Sequence, residues 1–267
     1  MGAFIDKVVV ITGAGSGIGR ALAQQVAAKG ARLALSDVNA KGLDETLKSL
    51  PAAAEARGYV LDVSNRQAVF AHADDVKRDF GTAHFVINNA GTTIFGTIAH
   101  LTIEELEWLL GINLWGVIYG TKAFLPMMLA QREGCIINIS SVLGLVAYGG
   151  QGAYCISKFG VRGFTECLWS ELEGSGVRAV CVHPGGIRTN IEGAARRCAA
   201  SGAEEAGIDA ALDKLLKTPP DKCAADIIAG VERGRKRILT GYISTTFNLL
   251  SRFLPNRYPA VLKALAK

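Results

Sequence analysis

The amino-acid sequence predicts an α/β fold, a single doubly wound domain of about seven parallel strands flanked by helices. Short runs of β-branched residues alternate with segments of helical periodicity, which is typical of βαβ units around a sheet buried on both faces. A glycine-rich turn also joins the first run to the first helical segment. The predicted strands span residues 7–12, 32–37, 58–63, 85–90, 135–140, 178–183 and 237–241.

Length and composition suit one folded domain over residues 1–267. Apolar residues make up 49% of the chain and charged residues 20%, which indicates a large core, and no repeat or linker divides the sequence. Two segments interrupt the alternation of strands and helices. Residues 190–220 form a long connection of the kind that acts as a lid. Residues 242–267 form an apolar, aromatic and basic tail.

Charge and cysteine usage exclude several classes of function. The basic residues behind the net charge of +5 are scattered, so we expect no nucleic-acid partner. The six cysteines form no Cys-x-x-Cys pair and lack closely spaced histidines, which predicts reduced thiols and no metal site. Asp6 interrupts the first apolar stretch, and the uncharged stretch 134–157 contains five glycines. We therefore expect neither a signal peptide nor a membrane span, and a cytoplasmic location.

The turn ITGAGSGIGR, residues 11–20, lies between the first predicted strand and the first predicted helix. Its glycines at 13, 15, 17 and 19 permit positive φ angles and let a phosphate approach the backbone. The amides at the start of the helix then face the anion. Such a sequence also occurs in turns that bind nothing, but its position at the first strand–helix junction favours dinucleotide binding.

Asp37 ends the second predicted strand, 18 residues beyond Gly19. A carboxylate at that point accepts hydrogen bonds from both ribose hydroxyls of NAD and repels the 2′-phosphate of NADP. No Arg or Lys stands at position 38 or within residues 14–18 to neutralise such a phosphate. The sequence therefore predicts NAD as the cofactor, with the alternative that Asp37 only caps the segment that follows.

The spacing Thr12-Gly13-x-x-x-Gly17-x-Gly19 resembles that of the short-chain dehydrogenase/reductase family, and the resemblance extends to about residue 241. It implies a Rossmann fold in which Asp62 and Val63 contact the adenine. It also implies that an Asn-Asn-Ala-Gly segment, a Pro-Gly pair and two residues beyond that pair hold the cofactor. The cofactor-binding residues expected on this basis, with Asp37, Tyr154 and Lys158, are Gly13, Ser16, Gly17, Ile18, Gly19, Asp62, Val63, Asn89, Ala90, Gly91, Pro184, Gly185, Ile187 and Thr189.

Tyr154 and Lys158 stand four residues apart, so on a helix they share one face. A free phenol has a pKa near 10 and is a poor base at neutral pH. A lysine ammonium at ~4 Å contributes about 4 kcal/mol in favour of the phenolate at an effective dielectric of ~20, enough to lower that pKa by 2–3 units. We therefore expect Lys158 to lower the pKa of Tyr154. The alternative is a helix on which the tyrosine packs and the lysine reaches solvent.

The family resemblance supplies two further catalytic candidates. It places a catalytic serine 13 residues before the tyrosine, at Ser141, whereas Ser140 would face the opposite way; the alternative is that both serines only end a strand. Asn113 lies in an apolar helix and needs a hydrogen-bond partner, for which an interhelical bond suffices. The resemblance implies instead that Asn113 holds a water molecule linked to Lys158.

The implied activity is NAD(H)-dependent interconversion of a secondary alcohol and its ketone. The loops that would form the substrate walls are largely apolar, which favours a steroid or a long-chain, aryl or cyclic alcohol. Arg196 and Arg197 in the lid would bind an anionic group or lie on a solvated lid helix. The expected substrate-binding residues, with Ser141 and Tyr154, are Phe95, Leu143, Tyr148 and Gly186.

The C-terminal tail carries Phe247, Leu250, Phe253 and Leu254 at near-helical spacing beside basic residues. Packing of the tail over the substrate pocket or against another subunit is favoured over contact with a membrane surface. The family resemblance implies a homo-oligomer, a tetramer or dimer, built through the helices that carry the catalytic Asn and Tyr. A catalytically silent NAD(H)-binding regulator is the main competing hypothesis for the chain; an epimerase or dehydratase would need a longer C-terminal domain.

Overall fold

The computed structural model describes residues 2–189, 195–200, 202 and 216–265. Seven strands form one parallel sheet in the order β3-β2-β1-β4-β6-β7-β9, which confirms the predicted architecture. These strands are β1 Val8–Thr12, β2 Arg32–Asp37, β3 Ala56–Val60, β4 Phe85–Asn88, β6 Gly134–Ile139, β7 Val177–Pro184 and β9 Arg237–Thr240. A separate pair of short parallel strands joins β5, Ile94–Phe95, to β8, Arg196–Arg197.

Helices cover both faces of the sheet, as parallel sheets require. One face packs on α1 and α7 through residues such as Leu22 and Ile227, and the other packs on α3, α5 and α6 through residues such as Val76, Phe124 and Leu168. A π-helical turn, 111–115, precedes α5, and a 3₁₀ turn, 142–144, follows β6. The helices are α1 Gly17–Ala28, α2 Ala40–Lys48, α3 Arg66–Phe80, α4 Ile103–Leu110, α5 Gly116–Gln131, α6 Gly152–Glu171, α7 Pro220–Glu232, α8 Ser244–Phe253 and α9 Tyr258–Leu265.

The strand order reverses between β1 and β4, and the carboxyl ends of the strands meet at one edge of the sheet. In open α/β sheets, this is the point at which ligands bind. Every residue of β1 is buried, and the strand is hydrogen-bonded to β2 on one side and to β4 on the other. The glycine turn after β1 and the residues after β4 and β6 are thus fixed to the centre of the sheet.

The third strand ends earlier than predicted. It spans Ala56–Val60 rather than 58–63, so Asp62 and Val63 lie in the loop beyond it. β3 is an edge strand, and its last residue, Val60, is 67% exposed. Asp62 Oδ1 accepts hydrogen bonds from the amide and the hydroxyl of Ser64, which turns the chain into α3. That local hydrogen bonding competes with continued pairing and ends the strand.

Most of the predicted lid, including 190–194 and 203–215, lies outside the described residues. Arg196 and Arg197, which do belong to them, form strand β8 beside β5, so the expectation of a solvated lid helix at these residues is wrong. Their pairing with Ile94 and Phe95 depends on a contact about a hundred residues distant in sequence, which local periodicity does not report. Among the described residues, no helix has the length and apolar character needed to cross a membrane.

The close packing of the glycine turn can be tested by comparing Gly19 with Gly163, since both are helical glycines. A Cβ at Gly19 would overlap the carbonyl oxygen of Gly13 and lie 2.7 Å from Asn89 Nδ2, whereas a Cβ at Gly163 would meet nothing within 4 Å. We expect Gly19→Ala to lower the free energy of unfolding by about 2 kcal/mol or more, because overpacking forces the turn to move. Gly163→Ala should raise it by up to ~1 kcal/mol, because alanine favours the helix. Urea denaturation measures both, and equal effects would contradict the structure.

Candidate active site

The glycine turn leads into the N-terminus of α1, whose first-turn amides have no side-chain cap. Gly13 has a φ of 66°, and a Cβ there would lie 2.8 Å from the Cα of Ala90. Gly17 also has a positive φ, 51°, and begins α1. The N-cap residue, Ser16, makes no side-chain hydrogen bond to the first-turn amides of that helix. Those amides remain available as donors, so the turn fits an anionic group such as a pyrophosphate.

Asp37 connects the end of β2 to the glycine turn. Its Oδ2 accepts a hydrogen bond from the Gly15 amide at 2.8 Å, and its Oδ1 accepts one from the Asn39 amide at 2.8 Å. Asp37 thus stabilises the turn that precedes α2, whereas the N-cap of that helix is Asn39. The carboxylate also borders the cavity described next, so capping does not exclude contact with a ligand.

A cavity of about 1090 Å³ extends along the carboxyl ends of the strands, from Asp37 to Tyr154 and beyond. Its size is at the upper end for small-molecule sites. Gly19 and Gly185 do not border it: Gly19 packs against Gly13, and Gly185 packs against Val142. The predicted cofactor-binding residues that border it are Gly13, Ser16, Gly17, Ile18, Asp37, Asp62, Val63, Asn89, Ala90, Gly91, Tyr154, Lys158, Pro184, Ile187 and Thr189.

The six expected substrate-binding residues all border the same cavity: Phe95, Ser141, Leu143, Tyr148, Tyr154 and Gly186. Other lining residues were not predicted, because they reach the cavity through long-range packing. The tail contributes several of these, as expected if it packs over the pocket, and its aromatic periodicity was the available signal. Lining residues that sequence analysis missed include Val38, Asn39, Leu61, Trp108, Gln151, Leu216, Lys217, Tyr242, Ile243, Thr246 and Leu262, whereas Phe247 was among the named tail residues.

Lys158 lies one turn after Tyr154 on α6 and is almost wholly buried, with 3% of its surface exposed. Its Nζ donates a hydrogen bond to the carbonyl oxygen of Ile139 at 3.0 Å and lies 5.5 Å from the centroid of the Tyr154 ring. Burial lowers the pKa of Lys158 to about 8. The alternative of a lysine that reaches solvent is thus wrong.

Burial also dominates at Tyr154, a partly accessible side chain that faces the cavity. It raises the pKa of Tyr154 to about 12, although interaction with the Ser141 side chain acts in the opposite direction. The expectation of a lowered pKa is therefore wrong for the protein alone, because loss of hydration dominates at this phenol. At neutral pH the phenol holds its proton.

Ser140 and Ser141 have separate roles after β6. The Ser140 hydroxyl donates a hydrogen bond to the Lys158 carbonyl oxygen at 2.8 Å and so ties β6 to α6. The Ser141 Oγ accepts a hydrogen bond from the Leu143 amide at 3.1 Å, which caps the 3₁₀ turn. Because this bond uses an oxygen lone pair, the Ser141 hydroxyl proton is left for a partner on the cavity side, which is Tyr154 or a substrate oxygen.

His183, which sequence analysis missed, supports Ser141 from within the sheet. This residue of β7 is fully buried, and its Nδ1 lies 3.0 Å from the Ser141 carbonyl oxygen. Burial lowers the pKa of His183 to about 4, so the ring is neutral at pH 7. A carbonyl oxygen only accepts hydrogen bonds, which places the imidazole proton on Nδ1.

Asn113 lies fully buried in the π-helical turn before α5. Its Oδ1 accepts a hydrogen bond from the Thr92 amide at 2.9 Å, and its Nδ2 donates to the Thr92 carbonyl at 2.9 Å and to Ser157 Oγ at 3.3 Å. The predicted interhelical bond is therefore present, and the water link to Lys158 stays a prediction. A Cβ at Gly91 would lie 3.2 Å from Asn113 Oδ1 and 3.5 Å from Lys158 Nζ, so the two groups are neighbours across this glycine.

Charge at the cavity comes from two further side chains. The Arg196 guanidinium lies 3.8 Å from the centroid of the Trp108 ring, and Lys217 Nζ lies 4.5 Å from the centroid of Tyr242; both cations border the cavity. Within the described residues, no group of three or more His, Cys, Asp or Glu side chains is placed to hold a metal ion.

Comparison with known proteins identifies the family. The model of the short chain dehydrogenase family matches residues 7–199. The Mycobacterium tuberculosis H37Rv protein named "Putative oxidoreductase SadH" is 42% identical over 99% of this chain and 96% of its own length. Human 17-beta-hydroxysteroid dehydrogenase 13 is 30% identical over 97% of this chain and 83% of its own length.

The fold comparison agrees with the sequence comparison. A crystal structure of a short-chain dehydrogenase/reductase from Burkholderia phymatum in complex with NAD superposes with a TM-score of 0.88, at 34% identity and over 96% of both chains. Similarity therefore extends over nearly the whole chain in both sequence and structure. The chain is an oxidoreductase of the short-chain dehydrogenase/reductase family, which binds NAD or NADP.

Proposed function

We propose that the chain interconverts a hydrophobic secondary alcohol and its ketone with NAD(H) as cofactor. The observation that carries this proposal is the single cavity, bordered at one end by the glycine turn and Asp37 and at the other by Ser141, Tyr154 and Lys158. A nucleotide and a substrate bound in that cavity would lie side by side. The SadH-type relative is named as an oxidoreductase and the human relative as a hydroxysteroid dehydrogenase, which supports this chemistry.

The choice of NAD over NADP rests on charge at the end of β2. Asp37 presents its carboxylate to the cavity, while the nearby Arg20 guanidinium is hydrogen-bonded to the Gly15 carbonyl oxygen at 2.5 Å and ion-paired with Glu45 at 3.1 Å. A 2′-phosphate at Asp37 would face a negative charge, with the nearest arginine already engaged. Ribose hydroxyls, in contrast, would donate to the carboxylate.

The reaction needs one group that holds the substrate oxygen and another that exchanges a proton with it. Ser141, whose hydroxyl proton is not used in the bond with the Leu143 amide, suits the first task. Tyr154, which is protonated at neutral pH, gives its proton to a ketone oxygen, and the phenolate takes it from an alcohol in the opposite direction. NAD⁺ in the cavity would supply the hydride acceptor for the alcohol carbon and a positive charge beside the phenol.

Lys158 provides a positive charge close to the Tyr154 ring. With a pKa of about 8, its ammonium is mostly protonated at pH 7 and favours the phenolate whenever Tyr154 must give up its proton. We also expect it to bind the ribose of the nicotinamide half. The hydrogen bond to Ile139 keeps it in place, and Asn113 lies next to it across Gly91. Thr189 and Ile187 would hold the carboxamide group.

Apolar walls determine the substrate class. The substrate end of the cavity is bordered by Phe95, Leu143, Tyr148, Ile243 and Phe247, which suits a steroid or a long-chain, aryl or cyclic alcohol.

The expected homo-oligomer is supported by exposed apolar residues on α5 and α6, the helices that the resemblance implies. Ile156 is 49% and Phe159 38% exposed, and light scattering should give a multiple of 28.2 kDa. The free state of all six cysteines is compatible with the expected cytoplasmic location.

The activity is tested by assaying the wild type and the variant Tyr154→Phe with NAD⁺ and a panel of hydrophobic secondary alcohols. The absorbance of the reduced nicotinamide follows the reaction. We expect turnover by the wild type and a fall of about 10²–10⁴-fold in kcat for the variant, because it lacks the proton-exchanging group. Tyr119→Phe on α5, outside the cavity, serves as the control and should match the wild type. A variant Tyr154→Phe that keeps most of the turnover would refute this mechanism. NADH binding without turnover of any alcohol would favour the silent regulator.

The cofactor preference is tested with Asp37→Asn, which keeps an oxygen acceptor for the Gly15 amide but removes the charge. Fluorescence titration should show that the wild type binds NADH about tenfold or more tightly than NADPH, because one unfavourable charge contact costs at least ~1.4 kcal/mol. In the variant this ratio should fall toward one. Tighter binding of NADPH by the wild type is the opposite result and would exclude the NAD assignment.

A further inference from the structure

The C-terminal segment, residues 233–267, differs sharply in charge from the rest of the chain. It contains eight basic residues and no Asp or Glu, although the whole chain has a net charge of only +5. Such an asymmetry indicates a negatively charged partner. The basic residues of the segment are Arg233, Arg235, Lys236, Arg237, Arg252, Arg257, Lys263 and Lys267.

Helices α8 and α9 place one apolar side of this segment against the cavity. Phe247 and Leu262 are 7% and 4% exposed and pack in one cluster with Leu143 and Tyr148. The Tyr258 hydroxyl accepts a hydrogen bond from the Ala147 amide at 3.1 Å, which anchors the start of α9 beside the same loop. The position of α8 on the protein is therefore set by buried contacts on this side.

The opposite side of α8 is apolar as well, but it is exposed. Phe253 is 74%, Leu249 46% and Leu254 38% exposed. Arg252 and Arg257 lie among these residues, are also exposed, and form no ion pair within the described part of the chain. These five residues are called the α8 surface below. It combines large apolar side chains with unpaired positive charge.

The residues that lead into α8 reach the cavity. Tyr242, two residues before α8, borders the cavity and is 60% exposed. Lys217 Nζ lies over its ring, so a further cation stands at the same rim.

We propose that the α8 surface docks on an anionic lipid bilayer, with its apolar side chains in the interfacial region and its arginines on lipid headgroups. Amphipathic helices with apolar residues flanked by Lys or Arg bind membranes in this way. The bilayer then supplies the hydrophobic alcohol or ketone to the cavity; this last step rests on the proposed function, whereas docking does not.

Charge argues against the other occupants. A symmetric contact between two copies through this surface would bring Arg252 and Arg257 of both copies into one interface, and the segment offers no Asp or Glu to pair with them. A nucleic acid would satisfy the arginines but leave Phe253 and Leu249 exposed or unfavourably placed beside phosphates. An anionic lipid layer satisfies both kinds of side chain.

Sedimentation of the full chain with vesicles tests docking without any need for catalysis. We expect binding to vesicles of phosphatidylglycerol and phosphatidylcholine about tenfold or more tighter than to phosphatidylcholine alone, with the difference reduced by salt. Two double variants should each weaken binding by about tenfold or more. One carries Leu249→Ser and Phe253→Ser, and the other carries Arg252→Gln and Arg257→Gln. Phe70→Ser, which removes a 42% exposed apolar residue from α3, should bind like the wild type.

Thermal denaturation and light scattering complete the experiment. Unchanged unfolding temperatures of the variants ensure that any loss of binding is local. Absence of binding by the wild type, or equal binding by all variants, would overturn the proposal. So would a fall in molecular mass on substitution of Leu249 and Phe253, which would make the α8 surface a contact between copies. Failure of the alcohol panel, in contrast, would leave the vesicle result standing.

Discussion

The active end of the molecule depends on one buried ammonium group, that of Lys158. Burial of a cation is costly unless it is hydrogen-bonded, and here the carbonyl oxygen of Ile139, the last residue of β6, accepts that bond. The lysine backbone in turn accepts a bond from Ser140, so β6 and α6 are joined on both sides of the charge. Ser141, the next residue, and Tyr154, one helical turn earlier, acquire their relative positions from this junction.

The parallel sheet makes that junction possible, because the carboxyl ends of its central strands converge. β1 leads to the glycine turn, β4 to Gly91 and Thr92, and β6 to the two serines. The π-helical turn before α5 then aims Asn113 at Thr92 and Ser157, so a third element is fixed beside Lys158. Such turns are frequent at functional sites because they move one side chain out of the regular helical register.

Sequence alone predicted the sheet, the glycine turn and part of the cavity lining, because these follow from local patterns and from family motifs. The end of β3 was missed because an Asp62–Ser64 turn and an edge position decide it. Arg196 was misplaced because its strand exists only through pairing with β5. The direction of the Tyr154 pKa was wrong because spacing shows that a lysine is near, but not how much water both groups lose.

The raised pKa of Tyr154 also determines how this residue could act in the proposed reaction. A phenol with a raised pKa is a ready acid for ketone reduction, and it becomes a base only when added positive charge outweighs its loss of hydration. The bound cofactor and Lys158 together would provide that charge. In the proposed reaction, reversible proton exchange at Tyr154 would thus require both the bound nucleotide and Lys158 to act on the phenol oxygen.

Titration of the Tyr154 phenol by ¹³C NMR, with its signal assigned by comparison with Tyr154→Phe, tests this claim most directly. In the protein without dinucleotide, we expect the pKa of Tyr154 to be about 12, and addition of NAD⁺ should lower this pKa. A pKa at or below the ordinary phenol value of about 10 in the free protein, or no change when NAD⁺ binds, would contradict the account.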